Sequence, residues 1–156
     1  MSAPIHIHSG GQTGVDRAAL DAAMAADVAV GGWCPQGRLA EDGPIPTHYP
    51  LRETPTPVYA ERTAWNVRDT DATLVLTRGT PTGGTVTTME VARDLDKPLL
   101  VVDLSESWVT RPVTVWLRVH HVATLNVAGP RESTAPGIYD DTKEFVTRLL
   151  CELTAD

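Results

Sequence analysis

Apolar positions along this chain repeat with two different periods, and the periods take turns. Ile5 and Ile7 alternate with His6 and His8, the two-residue period of a strand, so Ile5 to His8 is read as the first strand, with both histidines on one face. Val15 to Ala26 follows a helical pattern in which Ala18, Ala19, Ala22, Ala23 and Ala26 form a small-residue face suited to close packing on a sheet. Val28 to Val30 is read as a second strand. Further on, Tyr59 to Arg68 reads as a helix and Ala72 to Thr77 as a strand whose nearly unbroken apolar run suits the centre of a parallel sheet. Thr85 to Leu95 (helix), Pro98 to Val102 (strand), Arg111 to His120 (helix) and Val122 to Val127 (strand) continue the alternation. A loop from Gly129 to Tyr139 leads into a closing helix that runs to about Leu153. This order predicts an α/β fold: one doubly wound parallel sheet of about five strands with helices on both faces.

One stretch interrupts the alternation. From Gly32 to Pro57 the chain is rich in glycine and proline, including Pro35, Pro44, Pro46, Pro50, Pro55 and Pro57. That is long for a connection in a compact domain, and it is not low-complexity, so it is read as a functional loop at about 32–57. At 156 residues, the whole chain, 1–156, is read as a single domain with a full core.

Charge narrows the range of ligands. A net charge of −7 argues against general attraction to nucleic acid or an anionic membrane, so any anionic ligand has to be held by local arginines and backbone donors. Cys34 and Cys151 form neither a zinc pattern nor a disulfide framework. Met1-Ser2-Ala3-Pro4 shows no basic leader, and no apolar run reaches the roughly 18 residues that span a bilayer. The cytoplasm is the expected location. Whether the chain works as a monomer or a homo-oligomer stays open.

Two glycine-rich turns then stand out. Ser9-Gly10-Gly11-Gln12-Thr13-Gly14 joins the first strand to its helix, and Thr82-Gly83-Gly84-Thr85 joins the Ala72–Thr77 strand to the next. Such a turn offers backbone N–H groups at the positive end of a helix dipole, so two of them predict a divided site for phosphate or oxyanion groups. Glycine needed only for tight turns is the plainer reading. In open α/β sheets ligands sit beyond the carboxyl ends of the strands where the winding reverses, which places the switch between the two glycine-bearing strands.

Chemistry-bearing side chains gather near that edge. Asp16, in the first helical turn, either complements the dipole or takes a cation or ligand hydroxyl. Arg17 reads as a surface residue. Arg38 is read as an oxyanion clamp, because guanidinium offers a two-pronged fork. Arg62 and Asn66 share one helix face by their spacing. Glu90 is the candidate general acid or cation stabiliser, with an ordinary helix glutamate as the alternative. Arg131 and Ser133 return to the same edge after the last strand. Trp33 either stacks on a flat ring or anchors the long loop. His6, His8 and Cys34 are read as structural, and no metal site is expected.

At these residues a resemblance becomes specific. The strings from Ser9 to Asp21, Gly32 to Arg38, Ala40 to Pro46, Arg62 to Val67, Gly83-Gly84-Thr85 and Asn126 to Ser133 resemble the "putative molybdenum carrier" family over nearly the whole chain. The resemblance implies a Rossmann-like domain that binds molybdenum cofactor, a pterin carrying a phosphate. It also implies kinship with the cytokinin-activating phosphoribohydrolases. Those enzymes carry a Gly-Gly-x-Gly-Thr-x-x-Glu pattern; Gly83 to Glu90 matches it, except that Val86 stands in place of the third glycine.

Three functions follow. The first is a binding protein for a small phosphorylated heterocycle, held by Gly10, Gly11, Gln12, Thr13, Gly14, Asp16, Arg38, Arg62, Asn66, Gly83, Gly84, Thr85, Arg131 and Ser133. The second is an N-glycosidic hydrolase of nucleoside monophosphates that works through Glu90. The third is a nucleotide-sensing module that signals to a partner.

Overall fold

A computed structural model describes residues 4–155. Met1, Ser2 and Ala3, which carried part of the reading that the chain has no leader, lie outside the described residues, as does Asp156. The elements in chain order are β1 (His6–His8), α1 (Val15–Ala25), β2 (Val30–Gly31), β3 (Trp33–Cys34), β4 (Leu39–Ala40), β5 (Gly43–Pro44) and β6 (Arg52–Glu53). They continue with α2 (Tyr59–Arg68), β7 (Ala72–Thr77), α3 (Gly83–Asp94), β8 (Leu99–Asp103), α4 (Arg111–Val119), β9 (Thr124–Ala128) and α5 (Ile138–Thr154).

Five strands form the expected parallel sheet, in the order β2-β1-β9-β7-β8. Every residue of β7 is buried. Its Ala72, Leu74 and Leu76 join one core with Ala19, Ala22 and Ala23 of α1, Val113 and Leu117 of α4, and Phe145, Leu149 and Leu150 of α5. Thr73, Val75 and Thr77 point to the opposite face by the two-residue period, and there α3 packs on β7 and against α2. Helices therefore cover both faces.

The strands bearing the glycine turns, β1 and β7, are not neighbours, because β9 lies between them and pairs with both. The chain winds outward from β1 to β2, restarts at β7 and winds the other way to β8. The last strand then returns to fill the middle. The switch point accordingly has three loops rather than two.

Two expected strands begin late for a shared reason. Helices α1, α3 and α4 each end in a left-handed residue, Asp27 (φ 56°), Asp96 (φ 54°) and His121 (φ 52°). The amides that follow turn back onto the helix: Val28 N donates to Ala23 O (2.8 Å), Lys97 N to Ala92 O (3.0 Å) and Val122 N to Leu117 O (3.0 Å). These are Schellman closures built without glycine. They hold Val28 and Val122 in helix caps, so β2 starts at Val30 and β9 at Thr124.

The long loop is ordered throughout. β3 pairs with β6 in parallel and β4 with β5 in antiparallel fashion. Cys34, Ala40, Ile45, Tyr49 and Leu51 bury a second small core against Leu20 of α1.

Candidate functional site

β1, β7 and β9 end at one pocket of about 440 Å³. It lies at the carboxyl ends of the strands, beside the switch in winding. Its lining from the first glycine turn and α1 is Gly10, Gln12 and Asp16, and from α2 it is Arg62, Thr63 and Asn66. The second turn and α3 add Thr82, Gly83, Gly84, Thr85 and Thr88. β9 and its loop add Asn126, Ala128, Gly129, Pro130, Arg131, Ser133 and Thr134. Ten of the residues expected at a site are therefore brought together: Gly10, Gln12, Asp16, Arg62, Asn66, Gly83, Gly84, Thr85, Arg131 and Ser133.

The two glycine turns differ in kind. The amides of the first are consumed locally: Gly11 N donates to Ser9 Oγ (3.4 Å), Gln12 N to Asp16 Oδ2 (3.4 Å) and Thr13 N to Gln12 Oε1 (3.1 Å). The buried Asp16 carboxylate thus takes a donor of the first turn, while Gly10 and Gln12 of that turn still line the pocket. At the second turn, Gly83 begins α3 with φ 51°, a left-handed value that favours glycine. No side chain caps this helix and no acid lies in its first turn. A Cβ at Gly83 or Gly84 would meet nothing within 4 Å. Their amides stand in the first turn of the helix, at its positive end, where no carbonyl of the same helix can accept from them.

Asp16 sets the electrostatics of the buried end. Desolvation pushes its carboxyl up to about 6, opposed chiefly by the Arg62 guanidinium 3.8 Å away and by the Gln12 and Gly10 amides. Arg62 is itself buried and donates to Gly10 O (2.9 Å), which joins α2 to the first turn. Arg131 is half-buried, and both arginines face the ring of Tyr59, at 5.7 and 5.3 Å from its centroid. Asn66 is held in place by Trp33, accepting from Trp33 N (2.8 Å) and donating to Trp33 O (2.9 Å).

Five expected residues lie elsewhere. The α-carbon of Gly11 faces the second core, where a side chain would strike Leu51 and Ile45. Gly14 (φ 77°) is the N-cap of α1, packed so tightly that a Cβ would sit 2.5 Å from Pro130 O. Thr13 ties loops together, donating to Glu41 Oε2 (2.7 Å) and accepting from Glu132 N (3.2 Å). Arg38, expected as an oxyanion clamp, is absent from the pocket lining: its guanidinium donates to the carbonyls of Ile45, Pro46, Tyr49 and Leu51 and so braces the long loop. Glu90 is exposed on α3 and absent from the lining, because the pocket takes the face that carries Thr85 and Thr88.

Other readings sort in the same way. Trp33 anchors the loop, edge-on to Trp65 and donating to Asp69 (2.8 Å). Arg17 pairs with Asp42 and donates to Gly11 O (3.0 Å). Among the described residues, no three His, Cys, Asp or Glu side chains are grouped as a metal site. No helix among them is long and apolar enough to cross a membrane.

Asn126, Thr88 and Thr63 were not singled out from the sequence. Asn126 could have been: it is a polar residue at the carboxyl end of a predicted central strand, where ligands sit. Thr88 lies three residues after Thr85, one helical turn along the same face.

A family profile described as the circularly permutated YpsA SLOG family matches residues 7–150. A crystal structure named "Putative molybdenum carrier protein", from Syntrophus aciditrophicus SB, is 42% identical in sequence and superposes with a TM-score of 0.88. The match covers 99% of this chain and 97% of that one. No curated protein matches this chain.

Proposed function

The chain belongs to the circularly permutated YpsA SLOG family, and from that premise we propose that it is a binding protein for a phosphorylated heterocycle, with molybdenum cofactor as the ligand. One observation carries the reading: the uncapped N-terminus of α3 and two arginines, Arg62 and Arg131, share a pocket of about 440 Å³. A pocket of that size holds a small organic ligand, and free helix amides beside guanidinium groups are a phosphate site by their chemistry. The name of the structural neighbour supports the choice of cofactor.

The residues present fit a pterin that carries a phosphate. Gly83 N, Gly84 N and Arg131 would hold the phosphate, leaving the buried wall of Asp16, Asn66 and Asn126 for the ring. Neither cysteine lines the pocket, Cys34 being buried in the second core and Cys151 exposed. A metal would therefore arrive on the ligand. We place this carrier in the cytoplasm, in keeping with two free cysteines.

Mass spectrometry of small molecules released from the purified protein is the direct test, with a phosphorylated pterin or nucleotide as the expected find. Arg131→Ala should weaken binding of that molecule by about tenfold or more, the usual loss for a charge-assisted hydrogen bond. Unchanged affinity would reject the proposed phosphate site. The hydrolase reading loses support from Glu90, which stands outside the pocket. Release of free base from nucleoside monophosphates, abolished by Glu90→Gln, would restore it.

A further inference from the structure

Arg131 lines the pocket, yet little holds its side chain there. Among the described residues its guanidinium makes no hydrogen bond and no ion pair, and its ring contact is Tyr59, whose centroid is 5.7 Å from Cζ. A guanidinium left loose must give up rotamer freedom when it takes a phosphate, which weakens binding. It also has a rival partner. Glu41 is close enough to interact electrostatically with Arg131, and hydroxyls of Thr13 (2.7 Å) and Ser133 (3.1 Å) hold its carboxylate in place. Glu41 does not line the pocket, so its charge draws Arg131 away from the site.

Tyr59 is placed to resist that pull. It opens α2, and Arg62 follows three residues later, one turn along the same face, with its Cζ 5.3 Å from the ring centroid. Arg62 does not depend on the ring for its own position. It is buried, donates to Gly10 O (2.9 Å) and faces Asp16 at 3.8 Å. Arg62 is thus a fixed point for the ring, and the ring in turn is a seat for Arg131. The Tyr59 hydroxyl makes no hydrogen bond among the described residues, and the residue is 37% exposed. What this side chain offers is therefore its π face, which attracts both guanidinium groups although they repel each other.

We propose that Tyr59 is a positioning residue of the pocket: its ring, set against the tied Arg62, holds the Arg131 guanidinium at the site and away from Glu41. The inference rests on the functional reading above and adds how the phosphate-holding arginine is kept in place. Tyr59 is absent from the lining, so it acts through Arg131 and not on the ligand.

Calorimetric titration of the full chain with guanosine 5′-monophosphate tests this on wild type, Tyr59→Phe, Tyr59→Leu, Arg131→Ala and the double variant Tyr59→Leu/Arg131→Ala. Tyr59→Phe keeps the ring face and should bind as wild type does. Tyr59→Leu should bind about threefold or more weaker, the loss expected for one exposed cation–π contact. In the Arg131→Ala background the same change should cost nothing further. A general disturbance of the pocket would weaken binding by the same factor in both backgrounds, so the non-additivity separates positioning from mere structure. Tyr59→Gln also lacks the ring and replaces Tyr59→Leu in the cycle should that variant not fold. Wild-type affinity in Tyr59→Leu, equal losses in both backgrounds, or a loss in Tyr59→Phe as large as in Tyr59→Leu would each overturn the inference. Weak binding by Arg131→Ala would in those cases leave the phosphate site standing. Full affinity in Arg131→Ala, or no binding by wild type, would overturn both.

Discussion

At the scale of single residues, the pocket depends on how closely α2 approaches the first glycine turn. A Cβ at Gly10 would sit 2.4 Å from Nη1 of Arg62, whereas one at Gly11 would strike the packed methyls of Leu51 and Ile45. Gly10 has an ordinary φ and its neighbour is the end of a flexible side chain, so Gly10→Ala should displace the guanidinium and leave the fold nearly intact. We expect a melting temperature within a few degrees of wild type, and phosphorylated-ligand affinity reduced about tenfold through loss of Arg62 placement. Wild-type affinity in Gly10→Ala would show that Arg62 is only a structural tie. A bulky residue at Gly11 should unfold the protein, because the insertion meets a packed core at a left-handed position. The sequence revealed that these glycines sit at a strand–helix turn but not which one faces the ligand. That depends on where residues 32–57 fold back, a long-range fact with no local signature.

At the scale of elements, helices and central strands were legible because their periods are long and tertiary packing agrees with them. The bounds of α2 and β7 match expectation residue for residue, whereas α3 starts at Gly83 instead of Thr85. Strand starts were missed where Asp27 and His121 take left-handed caps usually filled by glycine, so the usual stop signal was absent. The segment 32–57 was read as a functional loop, and the small core it buries was not foreseen. Two-residue strands are too short to show a period. Arg38 is the brace of that segment, reaching four carbonyls from a left-handed backbone. Arg38→Ala should lower unfolding stability by about 1–3 kcal/mol, less than the hydrogen-bond total since the side chain is partly solvated. It should open residues 39–50 to limited proteolysis and barely change affinity for a phosphorylated ligand. A large affinity loss with unaltered proteolysis would restore Arg38 as an anion clamp.

At the scale of the whole molecule, the α/β class and the parallel sheet were legible from element order, while the placement of β9 between β1 and β7 was not. Order along the chain says which strands alternate with helices, and the closing strand could have joined either edge or the middle. Its central position brings Asn126 and Arg131 to the site and encloses Asp16 beneath three loops. That enclosure links ligand binding to the stability of the molecule. The folded-state value of Asp16, about 6, lies above the 3.8 of an exposed carboxyl, so the native state holds this proton more tightly than the unfolded chain does. Its contribution is therefore fully present below about pH 4 and is lost as pH rises through 6, a swing of about 3 kcal/mol. Asp69 acts oppositely: hydrogen bonds from Arg68 and then Trp33 hold it down to about 2, so its contribution disappears only as pH falls below 4. The pair with Arg68 is partly exposed and worth less. Between pH 4 and 7 the Asp16 effect should dominate any difference between wild type and Asp16→Asn. Urea unfolding of both proteins across that range should show wild type losing stability relative to the variant as pH rises. A saturating phosphorylated ligand whose donors meet the ionised carboxylate should reduce that loss. A difference that stays flat from pH 4 to 7 would mean that Asp16 is ionised throughout, with Arg62 and the turn amides fully offsetting its burial.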